Sequence, residues 1–90
     1  MSLVEIYTTS MCPFCFRAKK LLSKKGVDFT EYDVTMDPEG RKKMTQRANG
    51  SSTVPQIFID GDHVGGCDDL FEMDYDGDLD AKLGLTGEPA

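Results

Sequence analysis

The sequence predicts an α/β domain, a four-stranded mixed sheet flanked by helices, from three observations. In the first half of the chain short β-prone runs alternate with helical patterns, the signature of a parallel crossover. Later, a pair of β-prone runs meets across Asp60, Gly61 and Asp62, a hairpin signal that requires an antiparallel pair as well. The 90 residues are too few for two separate cores, so a single domain is expected over residues 1–84, with a frayed tail over 85–90.

Each element has a local reason. Leu3 to Tyr7 is apolar except for Glu5 and is stopped by Thr8, Thr9 and Ser10, which reads as a buried first strand. Pro13 suits the first helical position, where its missing N–H costs nothing, and this makes Cys12 the expected N-cap. The helix should run to about Lys25, with Cys15, Ala18, Leu21 and Leu22 on one face and Gly26 as the stop. Val27 to Val34 reads as a second strand, carrying Phe29, Tyr32 and Val34. Asp37, Pro38 and Glu39 open a second helix anchored by Met44 and Ala48 and broken at Asn49 and Gly50.

Gln56 to Ile59 and the stretch around His63 and Val64 form the hairpin, ended by Gly65 and Gly66. Asp68 and Asp69 suit the first turn of a third helix that continues through Leu70, Phe71 and Met73 to Gly77, and a short last helix spans about Leu79 to Leu83. The order strand, helix, strand, helix, hairpin, helix is the thioredoxin-like arrangement.

Composition excludes several functions. A formal net charge of -6 repels phosphate backbones and anionic lipid surfaces, so neither nucleic acid nor membrane is an expected partner. The first residues lack a basic segment followed by a long apolar core, and no apolar run approaches the roughly 18 residues of a membrane span, so a cytoplasmic protein is expected. Cys12, Cys15 and Cys67 do not make the even-numbered framework of a small secreted domain, which leaves redox or metal chemistry.

Cys12-Pro13-Phe14-Cys15 follows a predicted strand and opens a predicted helix, the context in which C-x-x-C is a redox motif. A cysteine at a helix N-terminus meets free N–H groups and the positive end of the dipole, which favour its thiolate, so Cys12 is the expected nucleophile. Arg17, Lys19 and Lys20 are candidates to strengthen that effect. Cys15 falls on the same face one turn on, within disulfide reach and more buried, and is the expected resolving thiol. The competing metal reading needs four zinc ligands, and beyond the pair the chain offers only Cys67 and His63, outside the usual finger spacing.

Cys12-Pro-Phe-Cys15, Thr53-Val-Pro55 before Gln56-Ile-Phe-Ile59, and Gly65-Gly-Cys-Asp-Asp69 together resemble the small dithiol glutaredoxins of bacteria, in the right order and at the right distances over about residues 3 to 84. The resemblance implies a glutathione-dependent thiol-disulfide oxidoreductase, a monomer without a bound cofactor, acting on glutathionylated and disulfide-containing proteins with glutathione as co-substrate. It implies a cis Val54–Pro55 bond, with the Val54 N–H and C=O pairing to the cysteine of glutathione. It also implies that Thr53, Pro55 and Gly66 belong to the glutathione-binding site with Val54, and that the N–H groups of Cys67 and Asp68 hold the γ-glutamyl carboxylate. One of Asp68 and Asp69 would meet the ligand's ammonium group.

Two departures bear on binding strength. Phe14 stands where many relatives have Tyr, and neither Thr9 nor Ser52 supplies the basic or amide side chain that relatives direct at the glycine carboxylate. Weaker glutathione binding, or substitution by Arg47 or Lys20, is therefore expected. Two rival functions remain: an iron-sulfur cluster shared by two chains through Cys12 and glutathione, which Pro13 disfavours, and a dedicated electron donor to one reductase.

Other residues have plain readings. Cys67 is either a regulatory thiol or a small half-buried residue at a helix start. Glu72, Asp74, Asp76, Gly77, Asp78 and Asp80 imitate a calcium loop, but its twelfth position is Leu83 rather than a bidentate Glu. His63 is expected to be an ordinary hairpin residue.

Overall fold

The computed structural model describes residues 2–85. Its elements are β1 (Val4–Thr8), α1 (Pro13–Lys24), β2 (Thr30–Asp33), α2 (Pro38–Arg47), β3 (Gln56–Ile59), β4 (Asp62–Gly65), α3 (Cys67–Tyr75) and α4 (Asp78–Lys82). They form one mixed sheet in the order β2-β1-β3-β4, the thioredoxin-like arrangement. β1 runs parallel to β2, with Glu5 opposite Thr30, and antiparallel to β3, with Tyr7 opposite Gln56. β3 and β4 are antiparallel, with a register shift between Ile57 and Phe58.

The two central strands are buried along their whole length, so neither shows the alternation of a half-exposed strand. Their side chains still divide by pleat. Val4, Ile6, Ile57 and Ile59 join Leu22, Leu70 and Leu79 in one core, whereas Tyr7 and Phe58 join Val34, Met44 and Ala48 on the opposite face. Glu5 shares the second face and is 9% exposed, yet it is not orphaned. Arg47 Nη2 donates to its Oε1 at 2.8 Å and the Tyr32 hydroxyl donates to Oε2 at 2.9 Å. The Arg47 guanidinium also lies 4.1 Å from the Phe58 ring centre, a cation-π contact beside the partly buried pair.

Most boundaries differ from expectation by one residue, and each shift has a cause. β1 includes Thr8 because its hydroxyl is buried and donates to Glu31 Oε2 at 2.7 Å. The hairpin turn is Asp60-Gly61 alone, with φ of 54° and 85°, and Asp62 already pairs with Ile59. The second strand is much shorter than the expected 27–34. Val27 donates its N–H to the Leu22 carbonyl at 3.4 Å, so this stretch closes the end of α1 before the chain reaches the sheet edge. Val27 and Phe29 contribute as partly buried packing against the first core. The expected frayed tail lies outside the described residues except for Leu85, whose N–H donates to the Asp80 carbonyl at 2.8 Å.

Candidate functional site

β1 and α1 together place the cysteine pair. Cys12 is the N-cap of α1 with extended backbone, Pro13 fills the first helical position, and the Cys15 N–H donates to Cys12 Sγ at 3.1 Å. The two cysteines form a disulfide, their Cα atoms 5.2 Å apart. Cys12 is half-buried whereas Cys15 is 2% exposed and belongs to the buried face of α1, so an incoming disulfide can reach only the first sulfur.

Cys12 Sγ lies 4.0 Å from the Val54 carbonyl oxygen. Val54 precedes a cis peptide bond to Pro55, at the entry to β3. Beside it opens a pocket of about 270 Å³, whose lining includes Phe14, Thr53, Val54, Pro55, Gly66, Cys67, Asp68 and Asp69. The structure thus brings the three sequence motifs to one concavity next to Cys12.

The N-terminus of α3 forms the far wall. Gly66 is its N-cap, and the Asp69 carboxylate reaches back to accept the Gly66 N–H at 2.9 Å. That turn needs Gly65, whose φ is +121° and where a Cβ would run into the Asp69 carboxylate. The N–H groups of Cys67 and Asp68 stand in the first turn, without intrahelical acceptors. Asp69 is thereby occupied, and the exposed Asp68 carboxylate has no hydrogen-bond partner among the described residues. The Cys67 side chain points the other way: it is 6% exposed, within the core rather than half-buried, and burial pushes its thiol pKa up. A thiol in that setting is poorly reactive.

Comparison with known proteins agrees with this geometry. The family model described as Glutaredoxin matches residues 4–64. The chain belongs to the glutaredoxin family. Glutaredoxin 3 of Escherichia coli is 53% identical over 83 residues, 92% of this chain and 99% of its own length. A probable glutaredoxin of Synechocystis is 55% identical over 80 residues, 89% of this chain and 91% of that protein. Among solved structures, a buckwheat glutaredoxin-glutathione complex superposes with a TM-score of 0.84 at 30% identity, covering 99% of this chain and 83% of the other. Membership implies thiol-disulfide oxidoreductase chemistry.

Within this glutaredoxin the site includes residues that sequence reasoning passed over. His63 lines the pocket, and its Nε2 lies 2.6 Å from Gln56 Oε1, so it is more than a hairpin residue. Gln56 Nε2 in turn donates to the Thr53 carbonyl at 3.0 Å and to Ser51 Oγ at 3.0 Å, fixing the loop that carries Val54. Arg41 donates to the Ser52 carbonyl at 2.9 Å on the other side of that loop. Nothing in the sequence singles out these contacts: His63 reaches Gln56 across the β3–β4 hairpin, and Arg41 reaches Ser52 across the turn after α2.

Neither Arg47 nor Lys20, the two expected substitutes for the missing lysine, lines the pocket beside Val54. Arg47 is committed to Glu5 and to the Tyr7 hydroxyl, and Lys20 opens onto a groove between α1 and α3 that shares no lining residue with the pocket beside Val54. Two of the five acids that imitate a calcium loop are engaged elsewhere: Lys25 Nζ lies 2.6 Å from Asp74 and 2.7 Å from Asp80. Among the described residues no group of three His, Cys, Asp or Glu side chains converges as a metal site. No described helix is long and apolar enough to cross a membrane.

Proposed function

We propose that this glutaredoxin reduces protein-glutathione mixed disulfides through Cys12 alone and protein disulfides through Cys12 and Cys15 together. The observation that carries the reading is the position of Cys12, half-buried at a helix N-terminus and 4.0 Å from Val54 beside the pocket. In the first reaction the Cys12 thiolate attacks the glutathione sulfur of the mixed disulfide, that S–S bond breaks, and the protein leaves as a thiolate that takes a proton from water. A second glutathione thiolate attacks the glutathione sulfur held on Cys12, which yields oxidised glutathione and restores the Cys12 thiolate. In the second reaction Cys15 displaces the bound protein from Cys12, and two glutathiones reduce the resulting disulfide.

For glutathione, the reading assigns Val54 N–H and C=O to its cysteine, the Cys67 and Asp68 N–H groups to its γ-glutamyl carboxylate, and the Asp68 carboxylate to its ammonium. Asp69, held by Gly66, keeps the turn in shape instead. Arg41, at Ser52, is the cation assigned to the glycine carboxylate in place of Arg47 or Lys20. A glutathione complex of a buckwheat glutaredoxin supports the class of ligand. The chemistry needs neither resident metal nor organic cofactor, works in a monomer, and suits the reducing cytoplasm, where glutathione keeps the dithiol reduced. A coupled assay with glutathione, glutathione reductase and the mixed disulfide of glutathione with 2-mercaptoethanol tests it. NADPH consumption proportional to the protein is expected, and none would sink the reading.

A further inference from the structure

α1 leads away from Cys12 as a strongly basic element in an acidic protein. Its sequence, PFCFRAKKLLSK, contains no acid, whereas the whole chain carries a net charge of -6. Lys19 is paired with Glu31 at 2.9 Å, but Arg17, Lys20 and Lys24 have no ion-pair partner among the described residues. Spaced at intervals of three and four, they lie along one side of the helix. They border a groove of about 370 Å³ between α1 and α3, completed by Phe16, Leu21 and Phe71. Phe16 is 64% exposed, and the Arg17 guanidinium lies 5.5 Å from the Phe71 ring centre. The Phe16 N–H donates to the Cys12 carbonyl at 3.1 Å, so the groove begins about one helical turn, roughly 5 Å, from the nucleophile.

Exposed aromatic surface beside unpaired cations fits a ligand that brings both an apolar side chain and negative charge. Resting on the disulfide-reducing reading above, we propose that this face docks an acidic segment with an apolar anchor in the disulfide-containing protein partner, flanking the disulfide presented to Cys12. The occupant's charge follows from the three uncompensated cations; its apolar anchor follows from Phe16 and Phe71. Because the groove shares no lining residue with the pocket beside Val54, it selects protein partners without touching the glutathione site.

The test uses twin synthetic peptides with one intramolecular disulfide each, flanked by Asp, Glu and Leu in one and by Lys and Leu in the other. At low salt the acidic twin should be reduced with a kcat/KM about tenfold above the basic twin, and the ratio should fall toward about twofold near 0.5 M salt. Lys24→Glu should lower the ratio about threefold, and Arg17→Glu, Lys20→Glu and Lys24→Glu combined should bring it to about one or below. Phe16→Ser should raise the KM for the acidic twin about threefold while leaving turnover of the small glutathione mixed disulfide unchanged. Equal rates for the twins, or a preference that survives the combined charge reversal, would overturn the docking surface while normal turnover of the small disulfide left the catalytic reading standing. Absence of that small-disulfide turnover would overturn both. Cosedimentation with phosphatidylserine vesicles, or self-association abolished by the same charge reversals, would each overturn the proposed partner in favour of a lipid surface or a second copy.

Discussion

The backbone N–H of Cys15 is directed at the sulfur of Cys12 from 3.1 Å. The helix that binds the two cysteines therefore also supplies a donor to the sulfur that must carry negative charge once the disulfide is reduced, and the dipole end adds to it. The reduced protein should be alkylated at Cys12 by iodoacetamide with a pH midpoint below that of free cysteine. A midpoint at or above about 8.5 would remove the basis for calling Cys12 the nucleophile.

On the opposite side of the sheet, the Arg47 hydrogen bond holds the Glu5 carboxyl below the usual glutamate range, with a smaller contribution from the Tyr32 hydroxyl. The depressed carboxyl contributes stability above its unfolded value of about 4.5 and loses that contribution as pH falls through the folded value. Glu5→Gln should therefore cost about 2 kcal/mol near neutrality, the range for charge-assisted bonds in a partly buried setting. Urea midpoints of the two proteins should differ clearly at about pH 7 and converge as pH is lowered below about 4.5. A gap that stayed constant across that range would mean the Glu5 charge contributes nothing.

Gln56 is 2% exposed and holds the Thr53 carbonyl with one end while its other end meets His63. Gln56→Leu removes both contacts and frees the loop that presents Val54. The Michaelis constant for glutathione should rise about fivefold with kcat changed less than about twofold, because the loop binds while Cys12 reacts. An unchanged Michaelis constant in a folded variant would show that Gln56 does not position the loop.

The sheet and the cysteine site were legible because they rest on local chemistry: Pro13 and Cys12 cap a helix, Asp60-Gly61 makes a turn, and Gly65 and Gly66 precede a helix start. The three motifs also came together as the resemblance implied. What stayed hidden depends on distance in sequence. Arg47 is 42 residues from Glu5, and no local pattern says that it will pair with that carboxylate and stack on Phe58. The length of β2 was misjudged for a similar reason, since whether Val27 joins a strand depends on the Leu22 carbonyl waiting at the end of α1.

The burial difference between the cysteines separates their roles. Cys12 is half-buried at the helix start and Cys15 is 2% exposed, so an external disulfide meets Cys12 while Cys15 can attack only from within. Deglutathionylation requires one nucleophile, because free glutathione resolves the intermediate, whereas a protein bound to Cys12 is released fastest by the neighbouring Cys15 thiolate. Cys12→Ser should abolish both activities. Cys15→Ser should keep most of the rate with a small glutathione mixed disulfide and lose at least about tenfold in reduction of an intramolecular peptide disulfide, where local effective concentration gives Cys15 its advantage. Both rates, measured in the same glutathione reductase-coupled assay, decide the matter: loss of both in Cys15→Ser, or survival of either in Cys12→Ser, would reverse the assignment of nucleophile and resolving thiol.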